Sequence, residues 1–156
     1  MVELRTMDDS EFQAYRTRTV HDYAVEKTVA GTWGEEEAAS LSEQAISQLL
    51  PEGLATKDAF LYTVLDAAEG TPIGNLWVQF SESKKGREAF IFDIVIHEAY
   101  QGKGFGKQTL QALDEKAREQ GAVSIGLHVF GHNRRAYGLY QKMGYETTDM
   151  VMRKKL

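Results

Sequence analysis

A single mixed α/β domain, with helices covering both faces of a sheet, is the fold class this sequence predicts, and three observations predict it. Apolar residues recur at helical spacing over the first fifty positions, then alternate in the following blocks, then return to helical spacing. The 156 residues suit one domain and suffice for a layered core. No repeat, low-complexity tract or linker divides them, so residues 1–156 read as one unit, and 42% hydrophobic content with two prolines suits a well-packed chain.

Residues 2–5 can form a first strand before a polar turn at Asp8, Asp9 and Ser10, with Asp9 or Ser10 as candidate helix cap. Phe12, Tyr15, Thr19 and Tyr23 share helical spacing and predict a helix over about 10–29, stopped by Ala30, Gly31 and Gly34. Trp33 lies in that break, either covering the core or touching a substrate. Ala38, Leu41, Ala45 and Leu49 predict a second helix that ends before Pro51. The period then changes. Residues 59–65 and 74–80 read as strands joined by a compact turn region, with Leu76, Val78 and Phe80 alternating against Asn75, Trp77 and Gln79. The stretch SESKKGRE at 81–88 reads as a charged, solvated hairpin loop. Residues 89–96 are the most apolar strand, expected to be central and buried on both faces, and Asp93 interrupts them. A helix is predicted from Gln108 to about Gln120, with Leu110, Leu113 and Ala117 inward and Gly121 as its end. Residues 124–129 read as another strand. Residues 133–142 read as a short helix capped by Asn133, with Ala136, Leu139, Tyr140 and Met143 in one row. The weak alternation over 145–154 predicts a closing strand or hairpin.

Composition removes several chemistries. The chain has no cysteine, which excludes disulfides, thiolate metal sites and cysteine nucleophiles, and no metal site is predicted. Acidic residues outnumber basic ones, 23 to 18, for a net charge of -5, and no basic stripe interleaves with aromatics. A nucleic-acid partner is therefore not expected. The first residues carry acids and lack a secretion signal, and no run approaches the ~18 apolar residues of a membrane span. No membrane partner is expected, and a cytoplasmic protein is the simplest reading.

The most informative segment is QGKGFG at 101–106, directly after the apolar strand. Gly102, Gly104 and Gly106 free the backbone to turn tightly and to present amides at a helix start, which is how a phosphate is held. A P-loop is excluded, because Gly106-Lys107 is followed by Gln108 and not by Ser or Thr. A dinucleotide fingerprint is excluded too, since its third glycine falls on Lys107 and Ser124-Ile125 stand where its acid belongs. By spacing alone, a tight turn without a ligand stays open.

Gln101, Gly104 and Gly106 together resemble the signature of the GNAT superfamily of acyl-coenzyme A dependent N-acetyltransferases: Gln or Arg, two residues, Gly, one residue, Gly or Ala. The later cluster NRRAYGLYQKMGY at 133–145 resembles that family's second signature, and the element order is similar over nearly the whole chain. The resemblance implies a mostly antiparallel mixed sheet of about six to seven strands flanked by about four helices and splayed between two central parallel strands. It also implies acetyl transfer from acetyl-coenzyme A, the cosubstrate, to a primary amine by direct attack in a ternary complex. The alternative it leaves is an acyl-coenzyme A binding regulatory or scaffolding module without turnover.

Carried onto this chain, the resemblance sets the coenzyme pyrophosphate against the backbone amides of Gln101, Gly102, Lys103, Gly104, Phe105, Gly106 and Lys107. The Lys103 and Lys107 side chains either add charge there or only solubilise. The pantetheine arm would run between the strand at 90–96 and the one at 124–129, bonding backbone groups of Ile94, Val95 and Ile96. Asn133 would bond the arm, cap its helix, or do both. Tyr140 would serve the leaving sulfur as an acid, the alternative being packing alone. Asp93 is the candidate base or water orienter, because an acid in an apolar strand is costly unless it is paired, hydrated or functional; Glu88, Glu98 and His97 are reserves. By strand alternation Asp93 faces away from Phe92 and Ile94. The acceptor, a small molecule or a protein or peptide amine, is expected near Tyr23, Glu26, Thr28, Trp33 and the segment after Met143. Glu26, Glu35, Glu36 and Glu37 either attract a cation or form a solvated face. Homodimerisation is a family habit.

Overall fold

The change of period at residue 59 is where the sheet's long antiparallel strands begin. In the computed structural model, which describes residues 1–156, the elements are β1 (Val2–Thr6), α1 (Asp9–Val29), α2 (Glu35–Leu49), β2 (Ala59–Asp66), β3 (Thr71–Ser83), β4 (Gly86–Ile96), α3 (Phe105–Glu119), β5 (Ala122–Leu127) and α4 (Arg134–Lys142). The strands lie in chain order, β1 to β4 antiparallel and β5 parallel to β4, with α3 as the crossover. No helix is long and apolar enough to cross a membrane.

Alternation on β3 divides the core in two. Ile73, Leu76, Val78 and Phe80 join Leu110 and Leu113 of α3 on one face, with Leu139 and Tyr140 of α4 packed beside them. Trp77 joins Phe12, Tyr15 and Ile46 of α1 and α2 on the other. Both layers bury large side chains almost completely, each worth about 1.5–3 kcal/mol relative to exposure.

One irregularity shapes the rest. Trp77 lies opposite Asp93 but Val78 lies opposite Ile91, so Phe92 is an extra residue on β4. The bulge puts Phe92 and Asp93 on the same face: Phe92 stacks on Trp77 with centroids 4.9 Å apart, while Asp93 meets Tyr15. This corrects the alternation that set Asp93 opposite Phe92; Ile94 does lie on the other face, against the α3 core. A bulge bends its strand. Pairing of β4 with β5 runs from Arg87–Ala122 to Ile91–Leu127 and ends there, so beyond Ile91 the two strands part.

Consequently β4 is not buried on both faces throughout. Ala89 and Ile91 are buried, but Phe90 is 38% exposed although it pairs with Gly126, and residues 92–96, beyond most of the β5 pairing, are only partly buried. Other expectations are also corrected. The sheet has five strands, and residues 145–154 form no strand: Met150, Val151 and Met152 are 78–95% exposed. The charged stretch 81–88 is mostly strand, with only Lys84 and Lys85 between β3 and β4, and Arg87 bridges Glu82 and Asp58 to order it. Helix α3 starts at Phe105, ahead of Gln108, and β5 ends at Leu127, ahead of Val129. The cap of α1 is Asp8, which accepts from the Glu11 amide while Glu11 accepts from the Asp8 amide.

Candidate functional site

The turn after β4 is built to leave donors free. Gly102 and Gly104 have φ of 75° and 85°, and a Cβ on either would meet nothing within 4 Å. Conformation, not crowding, is what requires glycine at these two positions. At Gly106 the reason differs: a Cβ would stand 3.2 Å from Leu139 Cδ2, where α4 packs on the start of α3. The first amide to regain a backbone acceptor is that of Gln108, which donates to the Gly104 carbonyl. Amides from Gly102 to Lys107 donate to no protein acceptor, at the positive end of a fifteen-residue helix. Gln101 departs from expectation: its amide is bonded to the Glu98 carbonyl, and its side chain donates to the Ile96 carbonyl at 2.8 Å. Its role is to hold the turn to the strand. Lys103 sets its ammonium 5.6 Å from the Tyr100 ring, and Lys107 is exposed.

Beyond Ile91 the backbone of β4 offers polar groups to the opening. The His97 amide donates to the Ile73 carbonyl on β3, so alternation turns the amides of Ile94 and Ile96 the other way, toward the side β5 has left. Val95 faces β3 instead. Its carbonyl lies so close to Gly74 that a Cβ there would collide with it.

On the α1 face of the sheet the Tyr15 hydroxyl donates to Asp93 Oδ2 at 2.8 Å. Burial pushes the Asp93 carboxyl up to about 6; the Tyr15 bond opposes this, Glu26 and Asp22 add to it, and Arg18 reduces it. The Tyr140 phenol is pushed up to about 12, first by burial and then by the charges of Asp93 and Glu26. The charges of Glu26 and Asp93 thus reach the Tyr140 phenol, and that of Glu26 reaches Asp93, although the three come from separate elements. Tyr15 itself, 3% exposed, is raised well above an ordinary phenol by burial and by Asp93.

Sequence reasoning missed Tyr15, Arg18, Asp22 and Asn75. The α1 positions 15, 18, 22 and 26 follow helical spacing, and Arg18 Nη2 donates to Asn75 Oδ1 of β3 at 2.6 Å. The available signal was Tyr15, a phenol within the apolar row. Of the expected acceptor residues, Glu26 joins this group, with its carboxyl raised by partial desolvation and restrained by His132. Tyr23 and Trp33 instead meet edge to face at 5.4 Å, and Lys27 stands 5.5 Å from each ring. Thr28 bonds its own helix at the Ala24 carbonyl. Glu35, Glu36 and Glu37 occupy the first turn of α2, where the helix dipole accounts for them.

The reserves sit elsewhere or are held neutral. Glu88 pairs with Ser81 at the closed end of β4. His97 has its ring Nε2 buried without a partner and its pKa lowered by burial and by Arg18. Asn133 caps α4, its Oδ1 accepting from the Ala136 amide at 3.3 Å.

The Acetyltransferase (GNAT) family matches residues 17–145. YycN of Bacillus subtilis, named as an N-acetyltransferase, is 44% identical over 155 residues, 99% of each chain. A second N-acetyltransferase of that organism, YdgE, is 40% identical over 98% of this chain and 97% of its own. The crystal structure of YycN superposes with a TM-score of 0.95, covering 100% of this chain and 99% of that one at 42% identity. A GCN5-related N-acetyltransferase from Ralstonia eutropha, at 15% identity and a TM-score of 0.68, shares the fold over 99% of both chains. A site of this shape, a family match over most of the length and relatives this similar from end to end agree: the chain belongs to the GNAT family of acetyltransferases.

Proposed function

We propose that this acetyltransferase moves an acetyl group from acetyl-coenzyme A to a primary amine by direct attack within a ternary complex. The observation that carries the proposal is the parting of β4 and β5 beyond Ile91, which leaves the amides of Ile94 and Ile96 facing an opening, with Asp93 on the same strand and the Tyr140 phenol near enough to feel its charge. The residues present fit the coenzyme: the amides from Gly102 to Lys107 suit its pyrophosphate, and the unpaired edge of β4 suits its amide-bearing arm. When bound, the coenzyme supplies a thioester whose carbonyl the amine attacks and whose thiolate leaves.

The chain's own groups then divide the work. Amides of Ile94 and Ile96 orient the arm and polarise the carbonyl, with more effect in a partly dry cleft than in water. An acceptor ammonium has an ordinary pKa near 10.4 and must lose its proton, directly or through water, to Asp93. With its carboxyl at about 6, Asp93 is ionised at neutral pH and more basic than an exposed carboxylate. Tyr140, held near 12, stays protonated. Because a thiol ordinarily titrates near 8.5, full proton transfer from such a phenol is uphill, and Tyr140 stabilises the leaving sulfur by donating a hydrogen bond. Lys103 and Lys107 flank the loop and Asn133 stands at the start of α4, available to the coenzyme's phosphates and arm.

The test is thiol release from acetyl-coenzyme A against a panel of small amines, peptides and proteins, with the acetylated product identified by mass. Initial rates at varied concentrations of both substrates should give intersecting lines. Parallel lines would replace direct attack with a covalent enzyme intermediate. Tight coenzyme binding with no transfer to any amine would leave the regulatory or scaffolding module.

A further inference from the structure

Arg18 differs from the other paired arginines of this chain. Arg5, Arg16 and Arg87 each bond a carboxylate. Arg18 is partly buried beside Asp93 and forms no ion pair; it is held by a neutral group, the Asn75 amide, and lies 5.7 Å from the Tyr15 ring. Asn75 is 8% exposed, so the guanidinium is anchored to a buried group on the α1 face of the sheet. One donor nitrogen is used, and a guanidinium has five N–H groups in a planar fork suited to a carboxylate.

Its place along the sheet sets a distance. Asn75 pairs with Val95 and Trp77 with Asp93, so the anchor of Arg18 and the strand position of Asp93 are two residues apart on one face, about 7 Å along the strand. That spacing suits an amine and a carboxylate only a few bonds apart. Acidic Asp22 and Glu26, further along α1, suit the cationic end as it approaches.

We propose that Arg18 is the acceptor's carboxylate anchor, and that the amine acetylated by this chain belongs to an amino acid or a similarly short zwitterion. The inference rests on the direct-transfer reading above. The competing account gives Arg18 a single task, holding down the Asp93 carboxyl, and the two differ in what they make of substrates lacking a carboxylate.

The experiment compares free amino acids, their amides and their decarboxylated amines, with wild type, Arg18→Gln and Arg18→Lys, after circular dichroism establishes that each variant folds. Wild type should prefer the amino acids. R18Q should lower kcat/KM for an amino acid relative to its decarboxylated amine by about 10- to 100-fold, the size of a charge-assisted hydrogen bond. R18K should recover part of that ratio. Equal loss for both substrates in R18Q, or no wild-type preference, overturns the anchor and leaves only the influence on Asp93. Calorimetric titration of the same pairs with coenzyme A present reads the anchor without turnover: amino acid binding that R18Q weakens supports it, and binding that R18Q leaves unchanged, or no binding, overturns it. Absence of thiol release with every amine overturns the transfer reading separately.

Discussion

Asp93 is where stability and activity should move in opposite directions. Its carboxyl is raised from 3.8 to about 6, chiefly by burial. A shift of about two units corresponds to about 3 kcal/mol at 1.36 kcal/mol per unit, and partial access to the opening reduces this to about 1–3 kcal/mol. Because the folded pKa is the higher one, the folded state binds more protons than the unfolded chain between pH 4 and 6. Stability therefore falls as pH rises through that window, and the cost is complete above it. Asp93→Asn keeps an oxygen for the Tyr15 hydroxyl and removes the charge. Urea unfolding at a series of pH values should show D93N gaining about 1–3 kcal/mol on wild type above pH 7, with most of that gain absent at pH 4. In the same variant kcat/KM should fall about 10²- to 10⁴-fold, the range of a general base, while wild type rises through an apparent pKa of about 6. A stability difference that does not change with pH would refute the burial argument. Normal rates with an unchanged pH profile would remove Asp93 as base.

Tyr15→Phe deletes the one hydrogen bond that holds the Asp93 carboxyl down, so the acid limb of the pH–rate profile should move alkaline by about one unit; a limb that stays put excludes the coupling. Tyr140→Phe should lower kcat by about 10²-fold with coenzyme A affinity intact, measured by titration, and undiminished turnover with intact binding would reduce Tyr140 to packing. Gly104→Ala forces a side chain into φ 85°, at a cost of about 1–2 kcal/mol. In a chain of this size that lowers Tm by a few degrees, and coenzyme affinity should drop with it; an unaltered melt would contradict the strain argument.

Much of the scaffold was legible because it depends on local periodicity. Leu110, Leu113 and Ala117 announce α3, and the alternation of Leu76, Val78 and Phe80 announces β3, since one buried face is enough to set either pattern. The cap of α1 has a sequence marker as well: Asp8 and Glu11 carry the spacing of a capping box, although Asp9 and Ser10 stand nearer to the apolar row. The tail is the opposite case. A weak alternation over 145–154 is necessary for a strand, but a strand also needs a neighbour to share its hydrogen bonds, and no local pattern reports that. The site divides in the same way. Gly102 and Gly104 mark positive φ from sequence alone, whereas the partner of Asp93 lies on Tyr15, 78 positions away. The anchor of Arg18 is equally remote, 57 positions along at Asn75.

The decisive feature, the bulge at Phe92, has no local marker, since neither glycine nor proline stands there and a nearly continuous apolar run carries no alternation whose slip would show it. Yet three properties of the site depend on it. An extra residue places Phe92 on the Trp77 face, where the two rings stack with centroids 4.9 Å apart. The same step sets Asp93 facing Tyr15 on the α1 side while Ile94 returns to the α3 core, so one strand serves an acid to one layer and an anchor to the other. The bend also coincides with the last β4–β5 pair, Ile91 with Leu127, leaving the outward amides of Ile94 and Ile96 beside the opening. The placement of the Asp93 carboxyl, the outward backbone amides and the opening thus all meet at a single local register change.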